Sequence, residues 1–174
     1  MDFAMNSNKS NFPDLLRQHG IQPKKSLGQN FIFDENIIHR IIELAGISSR
    51  TPVLEIGAGP GNMTRGLVAC GGRVVAIELD DRFLPLLEQL AASHPNLEIV
   101  HANVLKLDLD TLMGSVGYLV VANLPYYITS AVIRKLLETR QKPIRLALTV
   151  QKEVALRICA KPGELSVLAV SVRI

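Results

Sequence analysis

The chain has 174 residues, 48% hydrophobic and 20% charged, with a formal net charge of +3 and a pI near 9.0. That length suits one domain with a sizeable core; no apolar run approaches the ~18 residues of a membrane span, and no continuous apolar block near the start marks a secretory signal. Cys70 and Cys159 suit neither a disulfide framework nor a metal site, so a cytoplasmic protein without membrane or metal is expected, its mild positive charge compatible with a polyanionic partner.

Residues 11–19 predict a short helix, with Pro13 in its first turn and Gly20 closing it. The segment IQPKKSLGQNFIF (21–33) reads as irregular. Asp34 is placed to N-cap a helix through Leu44, with Ile37, Ile38, Ile41, Ile42 and Leu44 as its apolar face and Gly46 behind it. From there the chain alternates. Candidate strands are 53–56, 73–78, 97–101, 118–122 and 145–150. Helical segments are expected over 63–70, 81–93, 129–139 and 152–160, with a short turn near 110–113. Such alternation predicts an α/β fold, a mostly parallel sheet with helices on both faces. In these sheets functional groups gather at the carboxyl ends of the strands.

The first strand runs into EIGAGPGN. Gly57, Gly59 and Gly61 permit a tight turn whose backbone N–H groups approach a ligand ahead of a helix N-terminus, although a structural turn uses the same residues. The place of the last glycine in a dinucleotide fingerprint holds Asn62, which counts against NAD and towards a ligand without a pyrophosphate. Glu78, 21 residues beyond Gly57, ends the second strand where an acid can accept from a ribose diol. A solvated acid opening a helix describes Asp80 or Asp81 better. After the third strand, Asn103 offers an acceptor and donors to an adenine edge, or is a plain turn asparagine.

The fourth strand ends in VVANLPYYIT (120–129). An adenine amino group is a poor nucleophile because its lone pair is delocalised into the ring. Two acceptors aimed at its N–H bonds favour the pyramidal form that attacks an electrophilic carbon. The Asn123 carboxamide oxygen and the Leu124 carbonyl can be that pair, held by Pro125, which restricts Leu124 and fixes its own φ. Tyr126 offers a ring on which an unstacked base can lie.

The blocks KKSLGQNFIFD (24–34), VLEIGAGPGNMT (53–64), VVAIELD (74–80), VVANLPYYITS (120–130) and VQKEVALRI (150–158) resemble, in order, those of the KsgA-type small-subunit ribosomal RNA adenine dimethyltransferases. This is a branch of the Rossmann-like class I S-adenosylmethionine-dependent methyltransferases. The resemblance implies S-adenosyl-L-methionine as cofactor, with Gln29, Asn30 and Ile32 closing over it. It implies the glycine loop (Gly57, Ala58, Gly59, Gly61) around the methionine moiety, Glu78 with Leu79 at the ribose, and Asn103 with Val104 at the adenine. The family usually has Asp where this chain has Asn103. Asn123, Leu124, Pro125 and Tyr126 match the target-adenine site, with Asn123 also at the cofactor. Lys152 is placed to meet RNA phosphate, or belongs to an amphipathic helix that buries Val154, Leu156 and Ile158.

The implied organisation is a closing segment over 1–33 and a catalytic domain over 34–174. The family's Tyr-Gly stretch before LSV, its final strands and its C-terminal helical domain are missing after Gly163, so a fragment or truncated relative is expected, with 145–150 as an unprotected edge. The implied reaction is methyl transfer, twice per adenine, to N6 in ribosomal RNA or a small-subunit precursor, without a metal. Two rivals stay open: a large-subunit adenine methyltransferase of the antibiotic-resistance type, and a non-catalytic RNA-binding assembly factor.

Overall fold

A computed structural model describes residues 16–17, 19–22, 29–114 and 117–159. The helix expected over 11–19 lies outside the described residues except at 16, 17 and 19, as does everything after Cys159. The first described helix, α1 (Glu35–Ala45), begins where Asp34 accepts the Asn36 N–H at 2.8 Å and ends at Gly46, whose φ of 67° is left-handed. Arg145 closes the same end from another part of the fold, its Nη1 donating to the Ala45 carbonyl at 3.0 Å.

Five strands follow: β1 (Val53–Ile56), β2 (Val74–Glu78), β3 (Leu97–His101), β4 (Leu119–Asn123) and β5 (Arg145–Thr149). They form one parallel sheet in the order β3-β2-β1-β4-β5. The connecting helices are α2 (Asn62–Cys70), α3 (Leu84–Ser93), α4 (Leu109–Met113) and α5 (Tyr126–Glu138), and α6 (Lys152–Ile158) follows β5. Short 3-10 turns at Asp81–Phe83 and Val104–Lys106 open the segments after β2 and β3. Among the described residues β5 pairs with β4 alone. No described helix is long and apolar enough to cross a membrane.

Most boundaries shift by one to three residues from expectation, and two of the shifts shape the site. β4 includes Asn123, and α5 starts at Tyr126 rather than at 129. Proline explains the second: Pro125, with φ −58°, forms the cap, and its carbonyl accepts the Ile128 N–H at 3.2 Å and the Thr129 hydroxyl at 2.9 Å. The helix therefore starts three residues earlier than expected.

Both sheet faces are covered, so β1, β2 and most of β4 are buried at successive positions rather than at alternate ones. Val53, Val74, Ala76 and Val121 face a cluster with Ile38, Ile42, Leu67 and Leu87 from α1–α3. Leu54, Ile56, Val75, Ile77 and Val120 face Met113, Val132 and Leu136 from α4 and α5. One side chain breaks the pattern. Glu55, in register with Ala76 and Val121, is 2% exposed, and burial pushes its carboxyl up to about 8, although the neighbouring Thr64 hydroxyl acts to lower it.

The sign of the resulting pH dependence follows. Between pH ~4.5 and ~8 the folded chain holds a proton on Glu55 that the unfolded chain has released, so stability falls as pH rises, by ~1.4 kcal/mol per pH unit from this group, and levels off above ~8. Glu55→Gln is expected to remove that slope and to be the more stable protein at pH ~8. Urea unfolding of both proteins across this range measures it; parallel profiles would show that Glu55 titrates normally.

Candidate functional site

The strand order reverses at β1: the chain steps outward to β2 and β3, then returns to the other side of β1 for β4. The connections leaving β1 and β4 therefore diverge, opening a crevice at the carboxyl ends of the strands. The cleft found there has a volume of about 460 Å³, the size of a small-molecule site. Its walls come from residues 29–31, the glycine loop, the tip of β2, residues 102–105, residues 123–128 and the end of β5.

Gly57, Gly59 and Gly61 all have positive φ, of 78°, 56° and 88°. Their N–H groups do not form the expected open ligand cradle. Gly57 and Ala58 donate to the Ile77 carbonyl at 2.9 and 3.2 Å, Gly61 donates to the Ala58 carbonyl at 3.1 Å, and Gly59 donates to Glu78 Oε2 at 2.6 Å. The loop instead offers close approach. A Cβ on Gly59 would lie 2.9 Å from the Phe31 ring, so that position must be bare for the closing segment to sit.

Glu78 ends β2 with its carboxylate buried and shared. Oε2 takes the Gly59 N–H, and Oε1 takes the Leu79 and Asp80 N–H groups, each at 2.8 Å. Desolvation outweighs these three bonds, so its pKa is raised. With Oε1 taken twice and Oε2 once, the open lone pair is on Oε2.

Asp80 is also more than a helix-opening acid. Its side chain, 3% exposed, accepts from Arg82 Nε at 2.8 Å, from Arg82 Nη2 at 2.6 Å and from Gln29 Nε2 at 2.9 Å. The Arg82 hydrogen bonds, joined by the Gln29 bond and opposed by burial, hold its carboxyl far below the usual range. Arg82 Nη1 donates on to the Gln22 carbonyl at 3.0 Å, so this pair anchors the closing segment at two points. Phe31 continues the anchor edge-on against Phe83, ring centroids 5.4 Å apart.

At the other wall, Asn123 Nδ2 donates to the Asn30 carbonyl at 2.6 Å. A carbonyl can only accept, so the amide orientation is set, and Oδ1 accepts no hydrogen bond from the described residues. The Leu124 N–H donates to Thr149 on β5 at 3.3 Å, and no N–H among the described residues donates to the Leu124 carbonyl. Tyr126 and Tyr127 stand 59% and 58% exposed at the rim. Asn103 lines the cleft but also caps the turn after β3, its Oδ1 accepting the Leu105 N–H at 3.0 Å.

Of the residues singled out by sequence, Gln29, Asn30, Gly57, Gly59, Glu78, Leu79, Asn103, Val104 and 123–126 line the cleft together. Three do not. Ile32 and Ala58 pack into the core, and Gly61 lies under Leu87 and Leu90. Lys152 opens α6 without lining the cleft. Sequence reading passed over Phe31, Asp80 with Arg82, and Glu55. The D-x-R spacing after Glu78 and the lone acid inside VLEI were the available signals.

Comparison with known proteins agrees with this geometry. The sequence profile of the ribosomal RNA adenine dimethylase family matches residues 20–173. The ribosomal RNA small subunit methyltransferase A of Shouchella clausii is 44% identical over 154 residues, which cover 86% of this chain and 52% of that protein. The chain thus spans about half the length of the curated relatives it matches. A dimethyladenosine transferase of Plasmodium falciparum superposes with TM-score 0.70 at 30% identity, covering 80% of this chain and 50% of that one. The 23S rRNA methyltransferase ErmE superposes with TM-score 0.69 at 32% identity, covering 79% and 54%.

Asp80→Asn keeps the shape of the side chain but loses the ion pair that anchors the closing segment. Amide hydrogens of residues 29–33 are expected to exchange about tenfold faster, with β1 and β2 unchanged. Unaltered protection over 29–33 would show that the segment is held by other contacts.

Proposed function

The chain belongs to the ribosomal RNA adenine dimethylase family, and on that footing we propose that its cleft takes S-adenosyl-L-methionine and a flipped-out adenine of small-subunit ribosomal RNA, and that it methylates N6 twice. The observation that carries the reading is the Asn123 amide, turned by the Asn30 carbonyl so that its oxygen is left for another donor. The Leu124 carbonyl beside it is the second acceptor. Together they accept from the two N–H bonds of an exocyclic amine and draw its lone pair out of the ring plane.

The cleft fits the cofactor in size and in chemistry. The open lone pair of Glu78 is suited to a ribose hydroxyl, and Asn103, with Oδ1 partly used by Leu105, offers Nδ2 and a remaining lone pair to an adenine edge. Gly57 and Gly59 leave room for the amino-acid end, and Gln29 and Asn30 close the wall from above. Once bound, the cofactor supplies a methyl group on a sulfonium that is already a good leaving group. The chain's part is to align and to stabilise: Asn123 and Leu124 offset positive charge growing on N6, Tyr126 supports the base by stacking, and water takes the released proton. After the first transfer one N–H remains to hold the amine, so a second transfer needs slack in this pocket. Exposed Lys152 is assigned to RNA phosphate, residues 1–33 to closure and 34–174 to catalysis, and the reaction to the cytoplasm.

The similarity to ErmE favours a second reading, large-subunit RNA as the substrate, while the 44% identical relative favours the first. Cofactor binding by calorimetry, then methyl transfer to unmethylated small- and large-subunit RNA, tests both. Cofactor binding with label only in large-subunit RNA would select the second; binding without transfer to either would leave the assembly-factor reading.

Asn123→Ala is expected to lower single-turnover methylation by roughly a hundredfold or more while changing cofactor affinity much less. Equal rates would rule out the acceptor pair. Tyr126→Phe is expected to be mild and Tyr126→Ala severe, because the ring face does the stacking. Equal impairment in both would assign the function to the hydroxyl.

A further inference from the structure

The two ends of the Asn123 carboxamide are nearly the same size, so a half-turn of the amide exchanges an acceptor for a donor. Among the described residues one partner makes that choice: the Asn30 carbonyl takes Nδ2 at 2.6 Å and leaves Oδ1 open. The amide is therefore only as well oriented as that carbonyl. A peptide plane turns readily when one flank is loose and stays in place when both flanks are held. On the far flank of the Asn30 carbonyl, the Phe31 ring lies edge-on to Phe83, centroids 5.4 Å apart, and the Ile32 carbonyl accepts from Asn62 Nδ2 at 2.9 Å. On the near flank, Gln29 Nε2 donates to Asp80 Oδ2 at 2.9 Å, and Arg82 Nη2 reaches Gln29 Oε1 at 3.5 Å. Asp80 is itself gripped at both oxygens, by Arg82 Nε on Oδ1 and Arg82 Nη2 on Oδ2. Such a fork fixes the plane of a carboxylate as well as its position.

We propose that Asp80 and Arg82 are positioning residues for the acceptor base: through Gln29 and the Asn30 carbonyl they keep the Asn123 oxygen, rather than its NH2, available to the base, and so make the site select a 6-amino purine over a 6-oxo purine. The inference rests on the Asn123–Leu124 pair being the seat of an adenine amine.

An amino group at C6 of a purine presents donors, and an oxo group presents an acceptor. With Oδ1 available, both protein groups accept, so the amine is satisfied and an oxo group meets two sets of lone pairs. With the amide turned, Nδ2 replaces one acceptor by a donor. The amine then loses one of its two bonds, and an oxo group gains one. Loosening the Asn30 carbonyl thus slows reaction at adenine and narrows the preference for it together. Arg82 does not line the cleft, so its influence on the base passes through Asp80, Gln29 and Asn30.

The test uses the 174-residue chain saturated with S-adenosylhomocysteine, which keeps nucleosides out of the cofactor half of the cleft. NMR follows the Asn123 side-chain NH2 while adenosine and inosine are titrated as probes. The unmodified chain is expected to bind adenosine more tightly than inosine. In Asp80→Asn and in Arg82→Met, exchange of the Asn123 NH2 protons should quicken and the adenosine-to-inosine ratio should fall, each by about tenfold. Arg82→Lys, which keeps the charge but not the fork, should lie between the unmodified chain and Arg82→Met. A ratio that stays the same in the variants overturns the positioning role and leaves the adenine seat intact, even where overall affinity drops, because a merely structural defect weakens both nucleosides alike. Should Asp80→Asn and Arg82→Met fail to fold, an unchanged ratio in Arg82→Lys overturns the proposal in the same way. Equal binding of the two nucleosides by the unmodified chain, or binding of neither, refutes the adenine seat and the proposal together.

Discussion

The parallel pairing of β1 with both β2 and β4 is the constraint from which the rest of the site follows. A right-handed crossover places each helix on one face according to the direction in which the next strand lies. Reversing that direction at β1 sends the glycine loop and the Asn123–Tyr126 turn to opposite sides of one gap. Glu78 then joins the tips of β1 and β2 through the Gly59, Leu79 and Asp80 N–H groups, so the floor of the gap is rigid before any ligand arrives.

Three carboxyl groups near this floor illustrate how surroundings decide ionisation. Glu55, buried among apolar side chains and without a cation, is pushed up to about 8 by desolvation. Glu78 accepts three backbone N–H bonds, and desolvation still raises it. Asp80 is also buried, but the Arg82 guanidinium beside it holds it strongly down. Burial alone is thus a poor guide to charge; the partner that satisfies the carboxylate decides. The same partner gives Asp80 its mechanical role, since the ion pair that keeps it charged also holds Gln29, next to the Asn30 carbonyl that turns the Asn123 amide.

The chemical character of the cleft is that of a site supplying acceptors. The Asn123 oxygen, the Leu124 carbonyl and a lone pair of Glu78 are left without a donor among the described residues, while the glycine-loop N–H groups are used up internally. Such a lining suits a cationic, donor-rich ligand and an amine that gains positive charge as it reacts. It suits a phosphate poorly, in agreement with Asn62 occupying the position of the last glycine of a dinucleotide fingerprint.

Local chemistry made much of this legible in the sequence. Strand and helix alternation, the Asp34 cap, the left-handed glycines and the NLPY turn are each set within a few residues, by periodicity, side-chain capping or a proline ring. Glu78 was legible because its distance from the glycine loop is set by one β-α-β unit. Partnerships between residues far apart in the chain were not. Gln29 with Asp80, Asn30 with Asn123, and Arg145 with the end of α1 are separated by 51, 93 and 100 residues. Nor could spacing tell that the glycine-loop N–H groups are already spent, that Ile32 packs against the core, or that Glu55 Oε2 is buried without a partner. The sequence by itself determined which residue types stand at the strand ends. Tertiary structure alone decided which of their atoms are used up and which remain free, because hydrogen-bond capacity is filled by whatever the folded chain brings within about 3 Å.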